Sequence, residues 1–308
     1  MLILRTALTL KTENDMKKLT DSRFMLIFSM IIFGTIGLFR RSIDVSSGEL
    51  AFYRAVLAMV FIGLFLLVTK NRIPFAKIRK HIPLLVVSGV AMAFNWILLF
   101  EAYNYTTVSA ATLSYYFAPV LVTLLCPILF KEKMTAKQWL CFIMSTVGIV
   151  MITGIGSLDS GSNHFKGILF GLGAAALYAT VILINKFIKG VDGIHRTFMQ
   201  FVSAVVVLFP YVMLTDGINV TSLAPKGIVL LLIVGIVHTG ITYCMYFTSL
   251  KDLPGQKAAI LSYIDPLVAV ICSVVILRET MTVSQIIGGA LILGFTLWNE
   301  ITPKKEKR

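Results

Sequence analysis

Ten apolar runs separated by short polar breaks fill almost the whole chain, at residues 24–41, 50–69, 82–103, 107–130, 137–156, 166–187, 195–214, 226–249, 256–277 and 283–301. A helix crossing the ~30 Å hydrocarbon core of a bilayer needs about 20 apolar residues, within a range of about 17–25. Each run therefore predicts one membrane span. The breaks leave no room for a soluble domain, so the helices should pack as close neighbours.

Two runs carry groups that a helix in lipid does not favour. Residues 113–125 read LSYYFAPVLVTLL and residues 260–272 read ILSYIDPLVAVIC. Proline lacks an N–H, so Pro119 takes the helical donor from the carbonyl of Tyr115, and Pro266 does the same to Ser262. Both prolines fall near mid-membrane, where every freed backbone group must find another partner. Tyr115, Tyr116 and Tyr263 sit too deep for an interfacial aromatic belt. Either the tyrosines only tie a structural kink to neighbouring helices, or the kinked segments face a polar cavity. The repetition of the pattern favours a cavity.

That repetition extends further. Aligning the chain with itself, without a gap, sets Tyr116 on Tyr263, Pro119 on Pro266 and Glu132 on Glu279, and Met134, Thr135 and Gln138 on Met281, Thr282 and Gln285. The halves are residues 24–156 and 166–301. Each holds five spans, an odd number, so the second copy must enter the membrane from the opposite side. Basic residues agree, because they concentrate in cytoplasmic segments. With both termini inside, the outer segments hold only Arg40, Arg41, Lys166, Lys226 and Arg278, Arg54 lies within span two, and the rest of the 28 Lys and Arg lie inside. Residues 1–23 are then a cytoplasmic lead, in which Met16 is an alternative start, and residues 302–308 a basic cytoplasmic tail. Inverted repeats of this kind suit secondary transporters, with the solute site near the midplane between the halves.

Composition adds one exclusion. The chain is 57% hydrophobic and 14% charged, against about 45–50% and 25% in soluble domains. Its net charge of +13 would suit nucleic acid, but the basic residues are short tracts between apolar runs, so no nucleic-acid partner is expected. The four cysteines lie in apolar runs without metal spacing and read as small buried hydrophobes. No metal or cofactor is expected.

The segments LFKEKMTAKQWLCFIMSTVGIV and ILRETMTVSQIIGGALILG resemble the ends of the two repeats of the EamA family, in the drug/metabolite transporter superfamily. The resemblance covers residues 24–301 and is carried by a diffuse motif. It implies an all-α, ten-helix carrier of two inverted five-helix repeats, with a cavity lined by spans one, three, four, six, eight and nine and with spans five and ten towards the periphery. It also implies a multi-pass protein of the plasma membrane that exports amino-acid-like metabolites or drug-like solutes. Cys141 departs from the pattern, standing where the second copy has Gly288, and should loosen close helix contact in span five.

Asp265 is the sharpest single residue: a carboxylate beside Pro266 at mid-depth, where the first copy has Ala118. Such a group costs at least about 2.5–3.5 kcal/mol on insertion scales and so marks a solute or proton path, or else ties a freed carbonyl as a neutral acid. His238 in span eight is either a site residue or a helix–helix hydrogen bond. Glu101, near the outer end of span three, is a coupling candidate or merely interfacial. Asn95 and Trp96 on span three align with Thr242 and Tyr243 on span eight and are expected beside the cavity. Arg54 is expected to snorkel or pair with Glu49. Gly167 with Gly171, and Ala290 with Gly294, have the small-x3-small spacing of close helix packing, within the protein or at a homodimer seam. A proton-coupled carrier of a small solute accounts for these features. The alternative is a channel or a non-transporting membrane partner, although a channel would need rings from a symmetric oligomer; an enzyme would need a catalytic motif that the chain does not carry.

Overall fold

The computed structural model describes residues 21–130, 133–154, 162–215 and 217–301. Most of the expected lead with Met16, the basic tail and Glu132 of the repeat motif lie outside these residues. The described residues form helices and no strand. Ten helices run in chain order as α1 (Asp21–Arg40), α2 (Ser47–Val68), α3 (Ile82–Tyr105), α4 (Val108–Tyr115 and Ala118–Phe130), α5 (Ala136–Thr153), α6 (Asn163–Phe187), α7 (Gly193–Thr215), α8 (Pro225–Ser249), α9 (Gly255–Ser262, Ile264–Ile271 and a π-helical Cys272–Ile276) and α10 (Val283–Ile301). The first nine are long and apolar enough to cross a membrane. The tenth, of 19 residues, carries Gln285, Asn299 and Glu300 at its ends and is correspondingly less apolar.

The repeated Thr-x-x-Gln string has a local explanation. Gln138 donates its backbone N–H to Thr135 Oγ1 at 3.2 Å, while Thr135 donates its own N–H to Gln138 Oε1 at 2.8 Å. Thr282 and Gln285 make the same reciprocal pair at 3.2 and 3.0 Å. Each is a capping box, satisfying two orphan N–H groups where α5 and α10 begin. The motif of the two copies is thus a helix-start signal.

α5 and α10 pack directly on one another. A Cβ on Gly148 would lie 2.6 Å from the Gly288 carbonyl oxygen, and one on Gly288 would lie 2.5 Å from that of Gly148, so the glycines set the closest approach. Cys141 is buried, but the tight contact in α5 lies two turns further on, at Gly148. The expected loosening at Cys141 is misplaced for that reason. Gly167 and Gly171 pack against Thr106 and Ser114 of the same chain, whereas Gly294 faces open space.

The largest buried cluster joins α2, α3, α7 and α8 through Leu50, Ile62, Phe100, Phe201, Leu208 and Val234. Outward faces carry Leu67, Val68, Leu214 and Ile276, which suits a surface solvated by lipid tails. Helix cohesion there comes from packing and internal hydrogen bonds, since burial from lipid brings no hydrophobic gain.

Three helices break at mid-length: α4 at Tyr116–Phe117, α9 at Tyr263 and α1 at Thr35. In α4 and α9 the break lies about one turn before Pro119 and Pro266, where the missing N–H frees a carbonyl. The α1 break has no proline. There Thr35 Oγ1 bonds the Ile32 carbonyl at 2.8 Å, and Gly34 lets α1 approach α9 closely. A Cβ on Gly34 would lie 2.5 Å from the Asp265 carbonyl oxygen.

Candidate functional site

The breaks in α1, α4 and α9 meet at a cavity of about 360 Å³ between the two copies. All six helices that the family resemblance implied contribute to its wall, and α2 and α10 join them through Arg54 and Glu300. Of the residues singled out from the sequence, Asn95, Trp96, Tyr115, Tyr116, Pro119, Tyr243, Tyr263 and Asp265 line it. His238, Glu101 and Pro266 are outside its lining.

The α9 break is served from the other copy. Tyr116 donates its hydroxyl to Asp265 Oδ2 at 2.7 Å, and its oxygen lies 3.5 Å from the Ser262 carbonyl that Pro266 frees. Its ring also lies 6.4 Å from that of Tyr263. Beside it Tyr115 stacks on Tyr178 of α6, with centroids 5.3 Å apart and planes 30° from parallel. Phe33 meets Tyr243 edge-on at 5.2 Å. The cavity wall thus carries eight aromatic residues together with two carboxyl groups, Asp265 and Glu300.

Arg54 does not pair with Glu49. Glu49 caps the start of α2 at Ser46 and accepts from Tyr53 at 3.1 Å and the Asn219 N–H at 2.8 Å. Arg54 instead lies in the core at 4% exposure. It donates Nε–H to Thr239 Oγ1 at 2.7 Å, and its guanidinium carbon sits 4.4 Å from the Trp96 ring centroid. Thr239 belongs to a π-helical stretch of α8, Ile233–Ile241, an irregularity common at functional sites.

His238, in the same stretch, places Nε2 at 2.8 Å from Thr35 Oγ1 and packs edge-on against Phe39. It pins the α1 break to α8 behind the wall. Glu101 accepts from Asn104 Nδ2 at 2.6 Å, one turn along α3.

One end of the bundle carries a junction between the copies. Arg41, after α1, donates to the Thr106 carbonyl at 2.8 Å and pairs with Glu279 at 3.0 Å. Glu279 also accepts the Val108 N–H that opens α4, at 2.8 Å, and the Ser273 hydroxyl at 2.5 Å. The repeated glutamate of the second copy therefore caps a helix of the first.

Sequence reasoning missed Tyr178, Thr35 and the cavity-facing Arg54. Tyr178 was discoverable as a tyrosine deep in the sixth run. Arg54 was discoverable as the cation set deepest in an apolar run, the others lying within a residue or so of a run's end. Thr35 had no sequence signal, because its role depends on contact with a helix 203 residues away.

Among the described residues no group of three or more His, Cys, Asp or Glu is placed to hold a metal ion. A family model described as EamA-like transporter family matches the chain twice, over residues 22–154 and 165–299. The chain is 29% identical to the uncharacterized transporter YxxF of Bacillus subtilis, over 90% of this chain and 88% of that one. It is 28% identical to an uncharacterized transporter of Archaeoglobus fulgidus, over 89% and 95%. A solved crystal structure is alike in fold, with a TM-score of 0.63 at 16% identity over 91% of this chain and 97% of its own.

Proposed function

The chain belongs to the EamA-like transporter family, and we propose that it is a secondary carrier exporting a small amino-acid-like or drug-like solute. It works by alternating access across the plasma membrane, with both termini cytoplasmic. The observation that carries this reading is the cavity at the breaks of α4 and α9, walled by both inverted copies. Two similar halves that exchange conformations open such a cavity to each side in turn. The Arg41–Glu279 junction joins the halves at one end through side chains and a helix start, contacts that a rocking motion would have to break. Asp265, beside Tyr116 in the wall, is the group suited to carry a proton in exchange for solute.

Reconstitution into proteoliposomes tests this. Uptake of a radiolabelled amino-acid mixture should saturate with concentration and respond to an imposed proton gradient. Flux rising linearly without saturation would favour a channel and sink the carrier reading.

A further inference from the structure

We infer that Arg54 is the anion-binding group of the cavity and that it takes the carboxylate of a monocarboxylate solute with an apolar or aromatic body; this rests on the carrier reading above. A guanidinium has five N–H donors and no acceptor. Arg54 spends one on Thr239, and no carboxylate lies in ion-pair distance: among the described residues the ion pairs are Arg41–Glu279 and Lys251–Asp192. The faces of Trp96 at 4.4 Å and Phe100 at 5.7 Å offset part of the charge's desolvation. They cannot accept the in-plane N–H groups. A charge buried within a membrane helix is ordinarily paired or serves a solute path, and Arg54 lines the cavity. Its missing partner is thus best supplied by what enters.

The class of anion follows from the rest of the wall. Arg54 is the single cation among the lining residues, and Asp265 and Glu300 are acidic. A phosphate dianion or dicarboxylate would bring more charge than one guanidinium balances, whereas a carboxylate matches its planar fork. Trp96, Tyr115, Tyr178 and Tyr243 leave aromatic surface for the remainder of the solute. Thr239 holds Nε and fixes the fork's orientation, so it is a positioning residue.

Ligand binding to the purified protein tests the assignment without transport. The probes are phenylalanine, leucine and 3-phenylpropionate, each against its own carboxamide. Readouts are the melting temperature and the emission of Trp96 in a Trp139→Phe/Trp298→Phe background, both removed tryptophans being about half exposed on the outer surface. At least one acid should stabilise the protein and shift the emission. Its amide should need a concentration roughly tenfold or more higher, the scale of a hydrogen-bonded charge. Arg54→Gln should erase the preference and Arg54→Lys should keep part of it. If Arg54→Gln does not fold, the acid–amide ratio on the parent protein decides alone. Equal action of acids and amides, a preference surviving in Arg54→Gln, or no response to any acid would overturn the proposal. Saturable flux carried equally by acid and amide would sink the Arg54 assignment and leave the carrier standing; acid binding without any flux would do the reverse.

Discussion

The breaks in α4 and α9 share a framework and differ in chemistry. Each has a tyrosine at the break and a proline one turn on, yet α4 carries Ala118 where α9 carries Asp265. In α4 the wall is aromatic, Tyr115 stacking on Tyr178. In α9 the carboxylate accepts from Tyr116, which belongs to the α4 break. The surroundings differ as well, since α1 presses Gly34 against the Asp265 backbone. Internal symmetry here supplies the break positions, while a single asymmetric position supplies the carboxyl group. Under the proposed proton exchange the difference has a reason: both copies would bend, while one carboxylate would be enough for one proton.

The hardest test of the comparison is steric. Gly34→Val places a branched side chain where a Cβ alone would be 2.5 Å from backbone. Backbone cannot rotate aside, so α1 must move off α9. Overpacking of this kind costs about 1–3 kcal/mol or more, and the melting temperature of the detergent-solubilised protein should fall by several degrees with transport lost. An unchanged melting temperature would mean that α1 and α9 are not in close contact. The next test is electrostatic. Asp265→Asn keeps an oxygen for Tyr116 to bond, so it removes charge and leaves shape. Transport should fall by roughly tenfold, and its response to a proton gradient should flatten, as expected for loss of an intramembrane charge on the coupling path. Ala118→Asp combined with Asp265→Ala moves the carboxylate to the other break. Restored transport in that double variant would show that the two breaks are equivalent.

Much of this framework was legible in the sequence. Hydrophobic run length located ten helices, and the self-alignment exposed the repeat, because both signals are local or periodic. Proline marked two of the three breaks, since its missing N–H acts within one turn. What escaped depended on distant neighbours. Arg54 looked interfacial from its position four residues into a run, and only the packing of α8 against α2 shows Thr239 as its partner. The α1 break at Thr35 has no proline; Gly34 and Gly37 beside it weaken a helix, but glycines are too common in apolar runs to announce a break. His238 was ambiguous for the same reason: a histidine in an apolar run says that a partner exists, not which face it is on.

A smaller effect is expected at Tyr116, where the two breaks touch through one hydroxyl. Tyr116→Phe deletes the 2.7 Å bond to Asp265 and the approach to the Ser262 carbonyl, but leaves the ring against Tyr115 and Tyr263. Single hydrogen bonds between membrane helices average about 0.6 kcal/mol and reach about 1.7. The melting temperature should therefore move by only a degree or two. The response should appear instead in half-saturation for the solute, raised a few-fold, because Asp265 loses the group that orients it. A change as large as that of Asp265→Asn would mean that the α4 tyrosine itself takes part in coupling. No change at all would mean that the copies meet at this point without depending on each other.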